Sequence, residues 1–252
     1  MAKQFFKNFP EMQYKLSDGK IVTIKDFFRK SSITAGAREA IVDYTYYELE
    51  EGDRPDVVAT KLYGNGDLHW VFFLVNDWSN YLEWWKDQST FEKYMSHKYR
   101  GKYAVANAST DIVSRTGEPP LVSKFLIGET VTATNATGTV IKVDPTYNRI
   151  AIGDVVGDFS SKTITGTANL TKLGHPAAYR HSFTPTSVID MVDGIDHYYL
   201  DDFKRNTFLN GYTPKTHWEN EFELNEVNRR IKIIRPAMID KIVSQFEQVM
   251  KS

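Results

Sequence analysis

The chain has 252 residues, 41% hydrophobic, 13% aromatic and 25% charged, with 31 basic residues against 32 acidic ones and no cysteine. This is the composition of a folded chain long enough to bury a real core, as one large domain or two small ones. It excludes a disulfide scaffold, thiolate metal sites, iron–sulfur clusters and a cysteine nucleophile, and its net charge of -1 supplies no global field for nucleic acid or an anionic membrane.

The first forty residues form an N-terminal arm and hairpin (1–40). Phe5, Phe6 and Phe9 precede Pro10 and Tyr14. Three Phe so close together are hard to bury locally, so the arm either reaches a partner or folds back on its own domain. KLSDGKIVTI predicts a hairpin in which Asp18-Gly19 suits a type I′ turn, and Thr23 is placed to cap a short helix over IKDFFRK. MAKQFFKNFP has no apolar run of signal-peptide length, so synthesis and folding in a cytoplasm are expected.

Residues 41–104 follow. IVDYTYYEL predicts a strand from Ile41 to Leu49, and Glu51-Gly52-Asp53 a turn. Asp53 is placed to cap a helix with Pro55 in its first turn, where an amide is unpaired in any case. Gly64-Asn65-Gly66 ends that helix. Asp67 is placed to cap the next, whose Leu68, Val71, Phe72 and Val75 follow helical spacing before Asn76-Asp77 closes it. WVFFLV is the longest apolar stretch at six residues, far from the roughly 20 of a membrane span. Trp84, Trp85, Phe91, Tyr94 and Tyr99 come next, with Ser89 as cap of a helix to about His97.

Composition then changes. Residues 105–172 hold 12 Thr and 6 Gly in 68 residues but only three of the chain's 34 aromatics: Phe125, Tyr147 and Phe159. ETVTAT, GTVIKV, NRIAIG and KTITGT are β-rich runs between turn residues, with the central turn at Asp144-Pro145 and Tyr147-Asn148. VTATNATG from Val131 and ITGTANLT from Ile164 suggest a degenerate repeat. The segment reads as an inserted small all-β barrel or sandwich. The alternation in VIKV and RIAI favours this over a Thr-rich linker.

The C-terminal region (173–252) begins with irregular strands over Ala177–Trp218. A polar helix follows at Glu219–Asn228, and then RRIKIIRP, a strand stopped by Pro236. Ala237–Met250 is the clearest amphipathic helix, with Ile239, Ile242, Val243 and Phe246 on one stripe that must be buried on the body or on a partner. Arg229 and Arg230 beside apolar residues suit a salt-bridged protein interface.

Motifs for catalysis are missing. The sequence contains no phosphate loop, no GxGxxG, no HExxH and no GxSxG. His175 and His181, with Asp190, Asp193 and Asp196 downstream, match no metal-ligand spacing, and Glu221/Glu223 and Asp201/Asp202 read as solvated charge. No cofactor, no metal and no enzymatic activity are expected.

The unit from Tyr44 to Asn76 resembles a LysM domain in its aromatic strand Tyr44–Tyr47, the Gly52-Asp53 turn, the helix end Tyr63-Gly64 and the closing Asn76. The longer string YTYYELEEGDRPDVVATKLYGNGDLHWVFFLVND is similar to the LysM-like baseplate wedge protein of contractile-tailed phages of the T-even type, the gene 53 product family. NEVNRRIKIIRPAMIDKIVSQFEQVM, from Asn225 to Met250, resembles the same family. The resemblance implies an α+β fold: a LysM-like β-α-α(-β) core with irregular aromatic-rich extensions, the inserted β module and the C-terminal amphipathic helix. Its fold motif would be Gly52, Asp53, Pro55, Tyr63, Gly64, Asn65, Trp70 and Asn76.

It further implies a structural virion subunit of the tail baseplate, assembled in the host bacterial cytoplasm and present in about six copies. The subunit would bind other wedge proteins and join neighbouring wedges, with neither nucleic acid nor membrane as partner. Candidate contact residues are Phe5, Phe6, Phe9, Arg229, Arg230, Ile239, Ile242 and Phe246. The alternative from a different class is a LysM-type module that binds peptidoglycan. Arg54-Pro55, where such modules often carry small polar residues, counts against it.

Overall fold

A computed structural model describes residues 9–26, 44–106, 121–168, 179–199, 205–206 and 212–251. The architecture is α+β with several sheets. The chain divides into two units, Met1–Asp87 with Glu223–Ser252, and Gln88–Phe222.

In the first unit, β1 (Glu11–Lys15) and β2 (Ile21–Lys25) pair as an antiparallel hairpin. The Gly19 amide donates to the Leu16 carbonyl, and only Gly19 (φ 85°) is left-handed. The loop is therefore a turn over Ser17-Asp18 closed by a left-handed Gly, not the type I′ turn expected, which needs two positive φ values. Thr23 lies inside β2 and caps no helix.

The hub of this unit is the antiparallel pair β3 (Tyr44–Glu48) and β14 (Arg230–Ile234). After β3, the Asp53 amide donates to the Glu50 carbonyl at 3.0 Å, with Gly52 at φ 84° in the third position. That is a type II turn, which demands a residue tolerant of positive φ. Helix α1 (Pro55–Tyr63) ends on left-handed Gly64 (φ 69°), whose amide bonds the Thr60 carbonyl. A 3-10 turn over Gly66–His69 leads into α2 (Trp70–Val75).

Both expected Asp caps are corrected. Position Ncap of α1 is Arg54, without a side-chain bond, and the Asp53 carboxylate is engaged elsewhere. At the next helix start Asn65 accepts from the Asp67 amide, so Asn65 is the capping residue.

Leu49, Val58, Ala59, Phe72, Trp84, Ile231 and Ile233 are buried together, with Phe72 stacked on Tyr63. A second cluster joins Leu68, Trp70 and Val71 to Ile234 and to Ile239 and Val243 of α5 (Ile239–Lys251). The alternation of β14 explains its place: Ile231 and Ile233 enter the core while Arg230 and Lys232 face out.

The second unit contains α3 (Gln88–Lys98), which begins one residue before Ser89, so Ser89 is not its cap. Its seven-stranded sheet has the order β10-β4-β7-β6-β5-β8-β9 and is an open half-barrel. The four β-rich runs are β5 (Thr130–Ala133), β6 (Ala136–Asp144), β7 (Arg149–Val156) and β8 (Ile164–Ala168). Flanking strands β4 (Lys102–Val105), β9 (Tyr179–Phe183) and β10 (Ser187–Asp190) extend the same sheet. Val131, Val140, Ile150, Ile152, Phe159 and Ile164 line its core. A 3-10 turn over Pro145–Tyr147, then left-handed Asn148, makes the central hairpin. β11 (Ile195–Tyr199) pairs with β12 (Arg205–Asn206) and β13 (Thr213–Thr216), ahead of α4 (His217–Val227).

Phe72 is fully buried against Tyr63 and Trp84. Phe72→Ala is expected to cost about 3–5 kcal/mol, read from urea denaturation of the full chain.

Candidate protein interface

The turn after β3 is organised by one carboxylate. Asp53 accepts from the Tyr47 hydroxyl at 2.9 Å, the Glu50 amide at 3.1 Å and Lys61 Nζ at 2.5 Å. Its backbone carbonyl accepts from buried Trp84 Nε1 at 2.8 Å. Burial pushes the Asp53 carboxyl up, but Lys61, the Glu50 amide and the Tyr47 hydroxyl outweigh it and hold it below the usual carboxylate range. The residue thus locks strand, turn and helix together.

Asparagine side chains tie the two ends of the chain together inside this unit. Asn76 donates from Nδ2 to the Lys232 carbonyl at 2.9 Å and accepts the Lys232 amide at 2.8 Å. Asn225 makes the same two-way pairing with the backbone of Lys86, and Asn228 donates to the Glu83 carbonyl. Tyr63 donates to the Ile234 carbonyl at 3.0 Å, and burial pushes its phenol up to about 12. One N–H of the Asn76 amide and its carbonyl oxygen occupy the outer edge of β14 as a further strand would, and the amide nitrogen also donates to the Phe72 carbonyl at 2.8 Å.

The outer face of β3 and β14 is aromatic and cationic. Tyr44 and Tyr46 are 41% and 47% exposed, edge to face at 5.7 Å. The Arg230 guanidinium lies 4.2 Å from the Tyr46 ring and Lys232 Nζ 5.4 Å from the Tyr44 ring. Arg229 sits over Trp85, bonds the Leu49 carbonyl and approaches Glu48 at 3.7 Å.

The candidate contact residues fall into three groups. Phe5 and Phe6 lie outside the described residues, and Phe9 is buried, at 4% exposure. Arg230 lies against exposed Tyr46, whereas Arg229 sits over Trp85 and bonds the Leu49 carbonyl. Ile239 is buried, while Ile242 and Phe246 are partly buried on the same cluster, with Phe246 against Trp70 at 4.5 Å. The α5 stripe is therefore covered by its own unit. Among the fold-motif residues, Gly52, Asp53, Asn65, Gly64 and Asn76 make turns or bonds, Tyr63 bonds Ile234, and Pro55 and Trp70 are buried.

In the second unit a polar cluster forms that sequence spacing did not reveal. Buried Arg149 pairs with Asp144 at 2.9 Å, donates to the Ile195 carbonyl at 2.6 Å and lies 3.9 Å from the Tyr103 ring. Asp196 sits between His197 Nδ1 (2.7 Å) and His217 Nδ1 (2.9 Å), and His217 Nε2 meets the Tyr103 hydroxyl at 3.2 Å. Burial pushes the His217 imidazole down, so it is neutral at pH 7 and accepts from Tyr103 at Nε2. Each polar group here is spent on another, which describes a structural fastening.

His175 lies outside the described residues. His181 pairs with buried Glu129 at 2.8 Å, and Asp190 with Lys102. Among the described residues no group of three or more His, Asp and Glu is placed to hold a metal ion. Glu221 is bound by Tyr94, Lys98 and Tyr99, and Asp201/Asp202 lie outside the described residues. Among the described residues no helix is long and apolar enough to cross a membrane.

The buried charged and imidazole groups described above bond within the chain, and the exposed face of β3 and β14 carries Tyr44, Tyr46, Arg230 and Lys232. Residues 5–113 match the phage family described as base plate wedge protein 53. The match spans β1 through β4 and α1 through α3, and the string from Asn225 to Met250 lies outside it. No curated protein matches the chain. The family match, over fewer than half of the residues, supports a structural baseplate role. The peptidoglycan reading gains no support from these comparisons.

Asp53 gives a test with a defined sign. Its folded-state pKa is lowered, so the stability it contributes is present above the unfolded carboxylate range, about 3.9, and is lost as pH falls through the folded value. Asp53→Asn is expected to be less stable than the parent at pH 7. The gap should narrow as pH is lowered below 4, followed by urea melts at each pH. Asn76→Ala leaves the Lys232 amide and carbonyl without their partner and is expected to cost about 1–3 kcal/mol in the same melts.

Proposed function

We propose that this protein is a structural subunit of the baseplate wedge of a contractile, T-even-type phage tail. It binds other wedge proteins, helps join neighbouring wedges, and is made and assembled in the host cytoplasm in about six copies per baseplate. The observation that carries this reading is the family match over residues 5–113. The subunit works by binding alone, without catalysis or cofactor, and its partners are proteins rather than nucleic acid.

We further read β3, α1, α2 and β14 as a LysM-like block used to bind protein. The order strand–helix–helix–strand, the antiparallel return of β14 to β3, the Gly52 turn and the closing Asn76 support that reading. The residues 105–172 remain our candidate for an inserted β module whose strands join those flanking it. Residues 1–40, 41–104 and 173–252 remain the other proposed divisions.

A protein mass inventory of purified tails tests the main reading. The chain is expected at wedge stoichiometry, and its absence from particles with contractile tails overturns the proposal. Deleting Pro236–Ser252 removes the cover from Trp70 and Val71. That deletion is expected to abolish incorporation into the wedge, scored by the same inventory on particles made with the truncated chain.

A further inference from the structure

The two edges of the β3–β14 sheet are not equivalent. On β14, the amide and carbonyl of Lys232 point away from β3, because both are held by Asn76. Lys232 lies directly opposite Tyr46. In an antiparallel pair, opposed residues either both bond each other or both face away. The amide and carbonyl of Tyr46 therefore face the outer edge of β3. There the sheet has no further strand among the described residues.

Exposed edge strands are ordinarily blunted by Pro, Lys, a bulge or inward-pointing charge. β3 reads Tyr-Thr-Tyr-Tyr-Glu, all but its last residue a strong strand former, in unbroken register with β14. The charged side chains on this face are Arg230 and Lys232 together with Glu48, which lies opposite Arg230 and approaches Arg229 at 3.7 Å. The Arg230 guanidinium reaches across from β14 to the Tyr46 ring, so it already stands over the strand that borders the edge, and Lys232 Nζ stands over Tyr44. A strand added beside β3 would lie about 4.8 Å away, with its side chains within reach of both cations.

We propose that the outer edge of β3 is a strand-addition site for an extended segment of a partner protein that carries carboxylates on alternate residues. This deepens the wedge-subunit reading and rests on it for the kind of partner. Main-chain bonds to Tyr46 supply the pairing, and Arg230 and Lys232 select the acidic face. A second copy of this chain fits less well, because its own β3 brings one carboxylate, Glu48, and that residue already faces Arg229.

The test uses the full chain and three synthetic peptides. One alternates Val and Glu, one alternates Val and Lys, and one is the Val/Glu peptide N-methylated on alternate amides, made in both frames. Binding is followed by titration and by hydrogen exchange at the Tyr46 amide. The Val/Glu peptide is expected to bind saturably and to slow Tyr46 exchange. The Val/Lys peptide should bind about tenfold more weakly, and one N-methylated frame should lose binding.

The exposed double variant Arg230→Glu/Lys232→Glu, checked for an unchanged melting temperature, is expected to invert the charge preference. The peptide comparison on the parent chain stands without it. No binding of the Val/Glu peptide up to about 1 mM, equal binding of all peptides, or an unprotected Tyr46 amide overturns the proposal. So does Tyr46 protection that rises with the concentration of the chain alone, which would assign the edge to a second copy. These outcomes are read on purified protein and are independent of whether the chain is found in tails.

Discussion

The pairing of Tyr44–Glu48 with Arg230–Ile234 is the constraint on which the first unit depends. It brings Ile231 and Ile233 into the cluster of Leu49, Val58 and Phe72, and carries Ile234 to the cluster that α5 covers. Asn76, Asn225 and Asn228 are useful only because this register holds, since each bonds backbone on the far side of the closed loop. Without the pairing, α1 and α2, whose first residues have no side-chain cap, lose the surface they pack against. Short helices of that kind are marginal alone, because nucleation is costly and tertiary contact supplies most of their stability.

The same constraint explains how a separate unit of more than a hundred residues is carried between the two strands. Closing a loop becomes costlier only with the logarithm of its length, about 0.6 kcal/mol per doubling. Gln88–Phe222 builds its own core and polar fastening, so it offsets its own ordering. The Thr/Gly-rich strands suit such a unit. Their apolar residues alternate into one cluster, and their partners are mostly near in sequence.

How much was legible follows from that distinction. β5 to β8, the first hairpin, the β3–turn–α1–α2 run and α5 rest on local alternation, helical spacing and turn residues, and the sequence shows them directly. The capping of α1 did not follow the same logic. Asp53 has the right chemistry for a cap, but Tyr47 and Lys61 offer its carboxylate a charge-assisted site that the local sequence does not reveal. The α5 stripe signalled that it had to be covered but carried no sign of whose surface does so. The exposed pairing of Tyr44 and Tyr46 with Lys232 and Arg230 was not legible, because it follows only from the strand register. The Arg149–Asp144–Tyr103–His217–Asp196 cluster was illegible for a plainer reason. Tyr103 and His217 are 114 positions apart, and no periodicity connects them.

The contrast between the two sheet edges bears on how a nearly neutral chain selects partners. With a net charge of -1 it has no long-range field to steer association, so discrimination must come from short-range contacts. A main-chain edge supplies affinity with little sequence preference, and alone it would invite indiscriminate pairing. Two cations held over tyrosine rings restrict that edge to segments of complementary charge. Arg230 and Lys232 can serve in this way because β14 alternates over Arg230–Ile233: Ile231 and Ile233 are committed to the core, so Arg230 and Lys232 face out, before Ile234 is buried against α5. Core packing and partner selection are thus written on the two faces of one strand. A one-residue slip in its register would destroy both together, and Asn76 opposes that slip by gripping both peptide groups of Lys232.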